Sequence, residues 1–281
     1  AAITASAREA MRAVAFKAIE FGYDVKYGHT DSIFVKVKDV EDAKQLCIRL
    51  NDYIRNKVFN DCVELEFEKL AQSFFLSKKK NRYCGYLSWK DGNHLNEPKF
   101  FVMGFEMKKS NETKLAKEFQ KTVLKMVASG ETEDDVTSYA RKLYKNVKTG
   151  KHDLNSVVKR SRLRTPLEEY KTVAGGTAGV YYINNYTNIS NIDVGDSYYF
   201  YAVDNKGIVG HPIKYEYRGR VRNVEYIACK KVGDVIKSFP VNWQKLADSE
   251  IVKKVSLIYD SLGWNLLGIS ESGKQTLLSE W

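Results

Sequence analysis

The chain has 281 residues, 45 Lys plus Arg against 35 Asp plus Glu, and a formal net charge of +10, with 43% hydrophobic and 28% charged residues. That balance excludes a fibrous or disordered chain, and the length suits roughly two domains with a sizeable core. No run of ~18 apolar residues occurs, so no membrane span is expected, and the N-terminal Ala1-Ala2-Ile3-Thr4-Ala5 has neither an initiator Met nor a signal-peptide pattern.

The chain is expected to begin inside a larger protein. Thr4 is placed to cap a helix over residues 4–20, with Met11, Val14, Ala18 and Phe21 on one stripe and Gly22 past its end. Strands at 25–27 and 33–37 flank Gly28-His29-Thr30-Asp31-Ser32, a run of turn formers. Ala43, Leu46, Leu50, Ile54 and Val58 predict a helix over 41–58. Residues 63–68 alternate, which predicts a strand with Glu64, Glu66 and Glu68 on one face. Further strands are expected at 74–76 and 82–89, with Asp91-Gly92-Asn93 as a hairpin turn. The order is that of an α+β fold.

The character changes after residue 112. Helices are predicted over 113–129 and 133–148, and Thr165-Pro166-Leu167-Glu168 reads as a capping box. Gly175-Gly176 marks a break, residues 191–240 are strand-rich, and a last helix over 242–262 closes at Gly263.

Cys47, Cys62, Cys84 and Cys229 form no C-x-x-C pair, which argues against a zinc site and for reduced thiols in a cytosolic setting. His29, His94, His152 and His211 are equally dispersed. From Arg141 to Lys171 there are ten Lys/Arg against three Asp/Glu. Such a stretch attracts a polyanion, most often nucleic acid, and equally describes a solvated helix face. Asp31, at a hairpin tip, is suited to a hard divalent cation, and equally to stabilising the turn.

The motifs in order resemble the C-terminal part of an archaeal-type family B DNA polymerase. Tyr27-Gly28-His29-Thr30-Asp31-Ser32 is similar to the third polymerase motif, Y-G-D-T-D-S. Lys78-Lys79-Lys80-Asn81-Arg82-Tyr83 is similar to the K-K-x-Y element, and Val102 through Met107 to the segment leaving the palm. Arg164-Thr165-Pro166-Leu167-Glu168-Glu169-Tyr170-Lys171 resembles the archaeal thumb, and Asn242-Trp243 through Gly263-Trp264 the final helix.

The resemblance implies the distal half of an antiparallel-sheet palm over 1–112, then a thumb over 113–281, helical over 113–190 with a small mixed subdomain over 191–281. It implies template-directed transfer of a deoxynucleotidyl group to a primer 3′-hydroxyl. Asp31 would be the catalytic metal ligand, with Glu66 and Glu68 as secondary carboxylates, for two Mg²⁺ ions shared with an N-terminal part of the polymerase. Tyr27 and Thr30 would lie near the primer terminus. Lys78, Lys79, Lys80, Arg82, Tyr83, Arg160, Arg162, Arg164 and Lys171 would hold primer–template DNA. Deoxynucleoside triphosphates, that N-terminal part and, through it, a sliding clamp are the implied partners, with no membrane and a nucleoid-associated cytoplasmic location.

The sequence departs from the pattern twice. His29 stands where the family has the first aspartate of its third motif, and Asn81-Arg82 lengthens the basic element. The first polymerase motif, with the other catalytic aspartate, does not occur in these residues. The chain alone is therefore expected to bind duplex DNA without polymerising, and the competing expectation is a polymerase-derived DNA-binding module that has lost catalysis.

Overall fold

A computed structural model of the chain describes residues 2–29, 31–56, 64–108, 111–204 and 213–270. Within them it divides into two compact units, residues 1–75 with 83–103, and residues 76–82 with 104–281. Thr30, Val58, Cys62, Val63 and His211 lie outside the described residues.

In the first unit, helix α1 (Ala2–Glu20) starts ahead of Thr4, which is thus inside the helix rather than at its cap. Strands β1 (Asp24–His29) and β2 (Ser32–Lys36) pair antiparallel, with His29 opposite Ser32. The pairing reaches His29 and Ser32, so the strands run further into the 28–32 segment than composition suggested. Helix α2 (Val40–Ile54) is capped by Asp39, whose side chain accepts from the Asp42 N–H. Val14, Ala18, Leu46, Leu50 and Ile54 form a core over the β1–β2 hairpin, with Val25, Ile33 and Val35 packed against it. The stripes read from the sequence are those that bury.

Of the strand expected over 63–68, the described residues 64–68 are irregular backbone, and β3 runs over Lys69–Leu76. The alternation persists, with Glu64, Glu66 and Glu68 exposed and Leu65 and Phe67 partly covered. The segment is extended because a side chain takes the place of a ladder partner. The Asn51 amide accepts from the Leu65 N–H at 2.7 Å and donates to its carbonyl at 2.9 Å. Phe67 then stacks on Trp89 at 4.1 Å. Strand β4 (Tyr83–Lys90) lies centrally in a three-stranded sheet, between β3 and β5 (Asn93–Met103).

In the second unit, α3 (Lys114–Ala128) is capped by Thr113. Helix α4 (Glu133–Lys148) starts at a reciprocal capping box between Thr132 and Asp135. After one short turn, α5 (Leu154–Val157), strand β6 (Lys159–Arg162) joins β7 (Ser197–Ala202) and β10 (Tyr226–Cys229) in a sheet of order β10-β7-β6. The capping box read at 165–168 does not start an α-helix. Pro166 precedes a single 3-10 turn, Leu167–Glu169, and no side chain caps it. Gly175-Gly176, read as a break, instead opens α6 (Gly176–Tyr186). That helix packs so closely on β10 that a Cβ at Gly179 would sit 2.8 Å from the Ala228 nitrogen. Strands β8 (Lys214–Tyr217) and β9 (Arg220–Asn223) form a separate hairpin. Helix α7 (Trp243–Ala247) passes through a π-turn, Asp248–Val252, into α8 (Lys253–Leu262), closed by left-handed Gly263.

The π-turn aims Glu250, which is fully buried, into this unit. One Glu250 carboxylate oxygen accepts from Thr113 Oγ1 at 2.6 Å, and the other accepts from Ser249 Oγ at 2.8 Å and lies 3.2 Å from Lys159 Nζ. Beside it, Lys254 bridges Glu106 at 2.7 Å and Glu112 at 2.8 Å. Burial opposes the Lys254 charge, but hydrogen bonds and charge from Glu106 and Glu112 outweigh it and hold the ammonium pKa above its usual value.

Candidate functional site

Tyr27 is carried by β1 opposite Phe34 of β2, and both enter an aromatic cluster with the neighbouring sheet. The Tyr83 ring lies 6.1 Å from Tyr27, 5.1 Å from Phe34, 5.5 Å from Phe74 and 6.3 Å from Phe101. Edge and offset contacts at these separations lock the hairpin to β3, β4 and β5. Tyr27 and Tyr83, from motifs far apart in sequence, thus share one surface. His29 stacks on Tyr27, with centroids 6.4 Å apart.

Asp31 sits exposed at the hairpin tip. The Tyr83 phenol is pushed above its ordinary pKa by burial first, then by Tyr27, and further by the carboxylates of Asp31 and Glu68, while Lys69 opposes them. Asp31 and Glu68 are therefore within electrostatic reach of the same ring. Glu68 is 3.0 Å from Lys69, and Glu64 is 3.2 Å from Arg55. Glu66 is exposed and makes no ion pair among the described residues.

Among the described residues, no group of three or more His, Cys, Asp or Glu is arranged to hold a metal ion. Asp31, Glu66 and Glu68 do not by themselves compose a cation cage. A two-cation centre needs carboxylates that these residues do not bring together.

In the second unit, the basic element forms a tight loop. Ser77 N–H donates to the Arg82 carbonyl at 3.0 Å, and Ser77 Oγ donates to the Lys79 carbonyl at 3.0 Å. The residue that lengthens the element, Asn81, takes a left-handed φ of 61°, which Asn tolerates better than most residues. Its carbonyl abuts Gly104, where a Cβ would fall 1.9 Å from the Asn81 oxygen. Lys78 is drawn aside to the end of α8. Its Nζ is 2.9 Å from Asp260 Oδ1, and its N–H donates to Ser261 Oγ at 3.0 Å. Lys79 and Lys80 are exposed with no ion pair among the described residues, so they carry the loop's outward charge.

Strand β6 alternates as well. Lys159 turns inward to Glu250, while Arg160 and Arg162 face out. Arg160 donates to Ser197 Oγ at 3.4 Å, and Arg162 Nε to the Gly195 carbonyl at 2.8 Å. Arg162 and Arg164 line a shallow groove with Leu163, Val194 and Gly195. Lys171 is exposed on the loop before α6. The basic stretch is thus divided. Arg141, Lys142 and Lys145 lie on the exposed side of α4, opposite buried Val136, Ala140, Tyr144 and Val147, and Arg141 Nε donates to the Gly268 carbonyl at 2.6 Å.

Residues 2–258 match the sequence profile of DNA polymerase family B, and the chain belongs to that family. It is 31% identical over 170 residues to DNA polymerase 2 of Aeropyrum pernix, a match covering 60% of this chain and 19% of that protein. It is 28% identical over 159 residues to the DNA polymerase of Archaeoglobus fulgidus, covering 56% of this chain and 18% of the other. The matches thus span about a fifth of these curated relatives. In fold, 98% of the chain superposes on 30% of the family B DNA polymerase of Pyrobaculum calidifontis, with a TM-score of 0.60 and 20% identity. No helix among the described residues is long and apolar enough to cross a membrane.

Proposed function

We propose that the chain is a C-terminal portion or split subunit of a DNA-directed DNA polymerase, contributing one cation-binding carboxylate, Asp31, and the surface that grips duplex DNA. Residues 1–112 act as the distal part of the palm and 113–281 as the thumb. The observation that carries the reading is the aromatic cluster that seats Tyr27 beside Tyr83, with Asp31 in reach of the same phenol. Tyr27 and Thr30 act at the primer terminus, and Asp31 supplies one ligand of a Mg²⁺ pair whose remaining ligands come from another segment. Lys79, Lys80, Arg82, Tyr83, Arg160, Arg162, Arg164 and Lys171 hold the duplex, chiefly through phosphates. Lys78 acts by anchoring the loop to Asp260 and Ser261. A second reading, a DNA-binding module without catalysis, is favoured by His29 in the third motif.

A salt titration with primer–template DNA tests the gripping role common to both readings. Removing one cation that neutralises a phosphate reduces the slope of log affinity against log salt by ~0.9. Lys79→Ala with Lys80→Ala should flatten it by roughly 1.8, and Lys78→Ala by less. A wild-type slope near zero would sink the proposal.

A further inference from the structure

Residues 76–82 belong to the second unit, although nearly all of β3 and all of β4 lie in the first. Buried Ser77 closes this basic loop, since its Oγ accepts from the Lys79 N–H at 3.3 Å and donates to the Lys79 carbonyl at 3.0 Å. On one side the Asn81 carbonyl abuts Gly104, where any side chain would collide with it. On the other stands the C-terminal end of α8. Ser261 Oγ donates to the Leu257 carbonyl at 2.6 Å, which commits its hydrogen to the helix and leaves a lone pair for the Lys78 N–H, 3.0 Å away. Lys78 Nζ meets Asp260 Oδ1 at 2.9 Å, at the helix end where the macrodipole also favours a cation.

Helix α8 is itself fixed at its other end, where Lys254 bridges Glu106 and Glu112. Glu106 follows Gly104 closely in the chain. The loop, the 104–106 segment and α8 therefore close a ring of contacts, joined at Asn81–Gly104, Glu106–Lys254 and Asp260–Lys78. For stability, an ion pair whose side chains are 61% and 47% exposed counts for little. Its consequence is where the loop sits. Lys79 and Lys80 stand on the part that the ring leaves exposed, and no ion pair engages them among the described residues. Two flexible cations on a loop already held in place lose less freedom on binding than two on a loose one.

We propose that Asp260 and Ser261, outside every motif above, are positioning residues for DNA binding. They touch no DNA themselves. They fix the basic loop through Lys78, so that the end of α8 sets how Lys79 and Lys80 are presented. The inference rests on the reading of Lys79 and Lys80 as cations that contact primer–template DNA.

The test turns on a sign. Asp260→Asn removes a negative charge and releases Lys78, so on charge alone primer–template DNA should bind more tightly and with a steeper salt slope. Positioning predicts the reverse for the full chain: affinity roughly threefold weaker, the scale of one exposed ion pair, and no steeper slope. Ser261→Ala, which removes the acceptor of the Lys78 N–H, should weaken binding in the same direction. The exchange Lys78→Asp with Asp260→Lys rebuilds the pair in reverse and should return affinity to the wild-type value, while Asp260→Lys alone stays weaker despite its added charge. Thermal unfolding should hardly move in any of them, which separates misplacement of the loop from loss of the fold. Tighter binding by Asp260→Asn, or an exchange variant no better than Asp260→Lys, would overturn the inference. If wild type itself fails to bind DNA, the proposed function falls and this inference with it. If the Lys79/Lys80 variant weakens binding and Asp260→Asn strengthens it, only the positioning role falls.

Discussion

Asp31→Ala in the assembled polymerase is expected to lower single-turnover nucleotide incorporation by on the order of a thousandfold or more, about 4 kcal/mol. The expectation follows from where the carboxylate sits. It is exposed at the tip of a hairpin that is braced by the Tyr27–Phe34–Tyr83 cluster, so it is presented outward on a rigid support. A carboxylate proposed to hold a cation at the reacting phosphate stabilises charge that develops only in the transition state, so its loss falls on the rate rather than on DNA affinity. His29 occupies a different position. It is the last residue of β1, paired with Ser32 and stacked on Tyr27, and an imidazole is a poorer partner for Mg²⁺ than an oxygen ligand. His29→Ala should therefore cost much less than Asp31→Ala, and His29→Asp should be tolerated, with Mg²⁺ needed at the same or lower concentration. Equal damage from His29→Ala and Asp31→Ala would reverse the two assignments.

Glu250→Ala should destabilise the second unit by about 3 kcal/mol, a fall in melting temperature of roughly 6–12 °C for a unit of this size. Glu250 is fully buried and joins Thr113, Ser249 and Lys159. Removing it leaves the Thr113 hydroxyl without its acceptor and the Lys159 ammonium with only Glu112, 3.9 Å away, and an uncompensated group costs more than the net value of the interaction it made. Glu250→Gln keeps one acceptor oxygen, enough for either Thr113 or Ser249, and should cost less than Glu250→Ala. Thr113→Ala removes both the cap of α3, about 1 kcal/mol by itself, and one donor to buried Glu250. Urea unfolding of the three variants ranks them, and Glu250→Ala no worse than Thr113→Ala would refute the network's role.

The neighbouring Lys254 adds a pH dependence of definite sign. Its folded pKa is raised above the ordinary 10.5, so its contribution is complete below that value and is lost as pH rises through the higher folded value. Stability measured between neutral pH and strong alkali should fall there, and Lys254→Met should remove that part of the fall.

The local elements were legible because burial follows period. Val14 and Ala18 of α1, and Leu46, Leu50 and Ile54 of α2, appear on the sequence stripe and in the core. The strand pair around 28–32 was legible from its turn formers, while the sequence reading put Thr113 inside a helix that it instead caps. The misreadings arose where a distant partner decides. Residues 64–68 alternate like a strand, but Asn51 of α2 bonds their backbone instead of a neighbouring strand. Gly175-Gly176 looks like a break because a glycine pair usually is one. Here Gly176 opens α6 against Phe200, where a Cβ would approach to 2.8 Å. At the site, periodicity could not tell that Lys159 faces Glu250 or that Lys78 is held by Asp260, since both partners are remote in sequence.

Primer extension tests the central claim most directly, comparing the chain alone, with Mg²⁺ and all four deoxynucleoside triphosphates, and the chain mixed with a polypeptide bearing the first polymerase motif. The account predicts no extension by the chain alone, extension on mixing, and loss of that extension in the Asp31→Ala chain. Robust synthesis by the isolated chain, or synthesis by the mixture that survives Asp31→Ala, would contradict it.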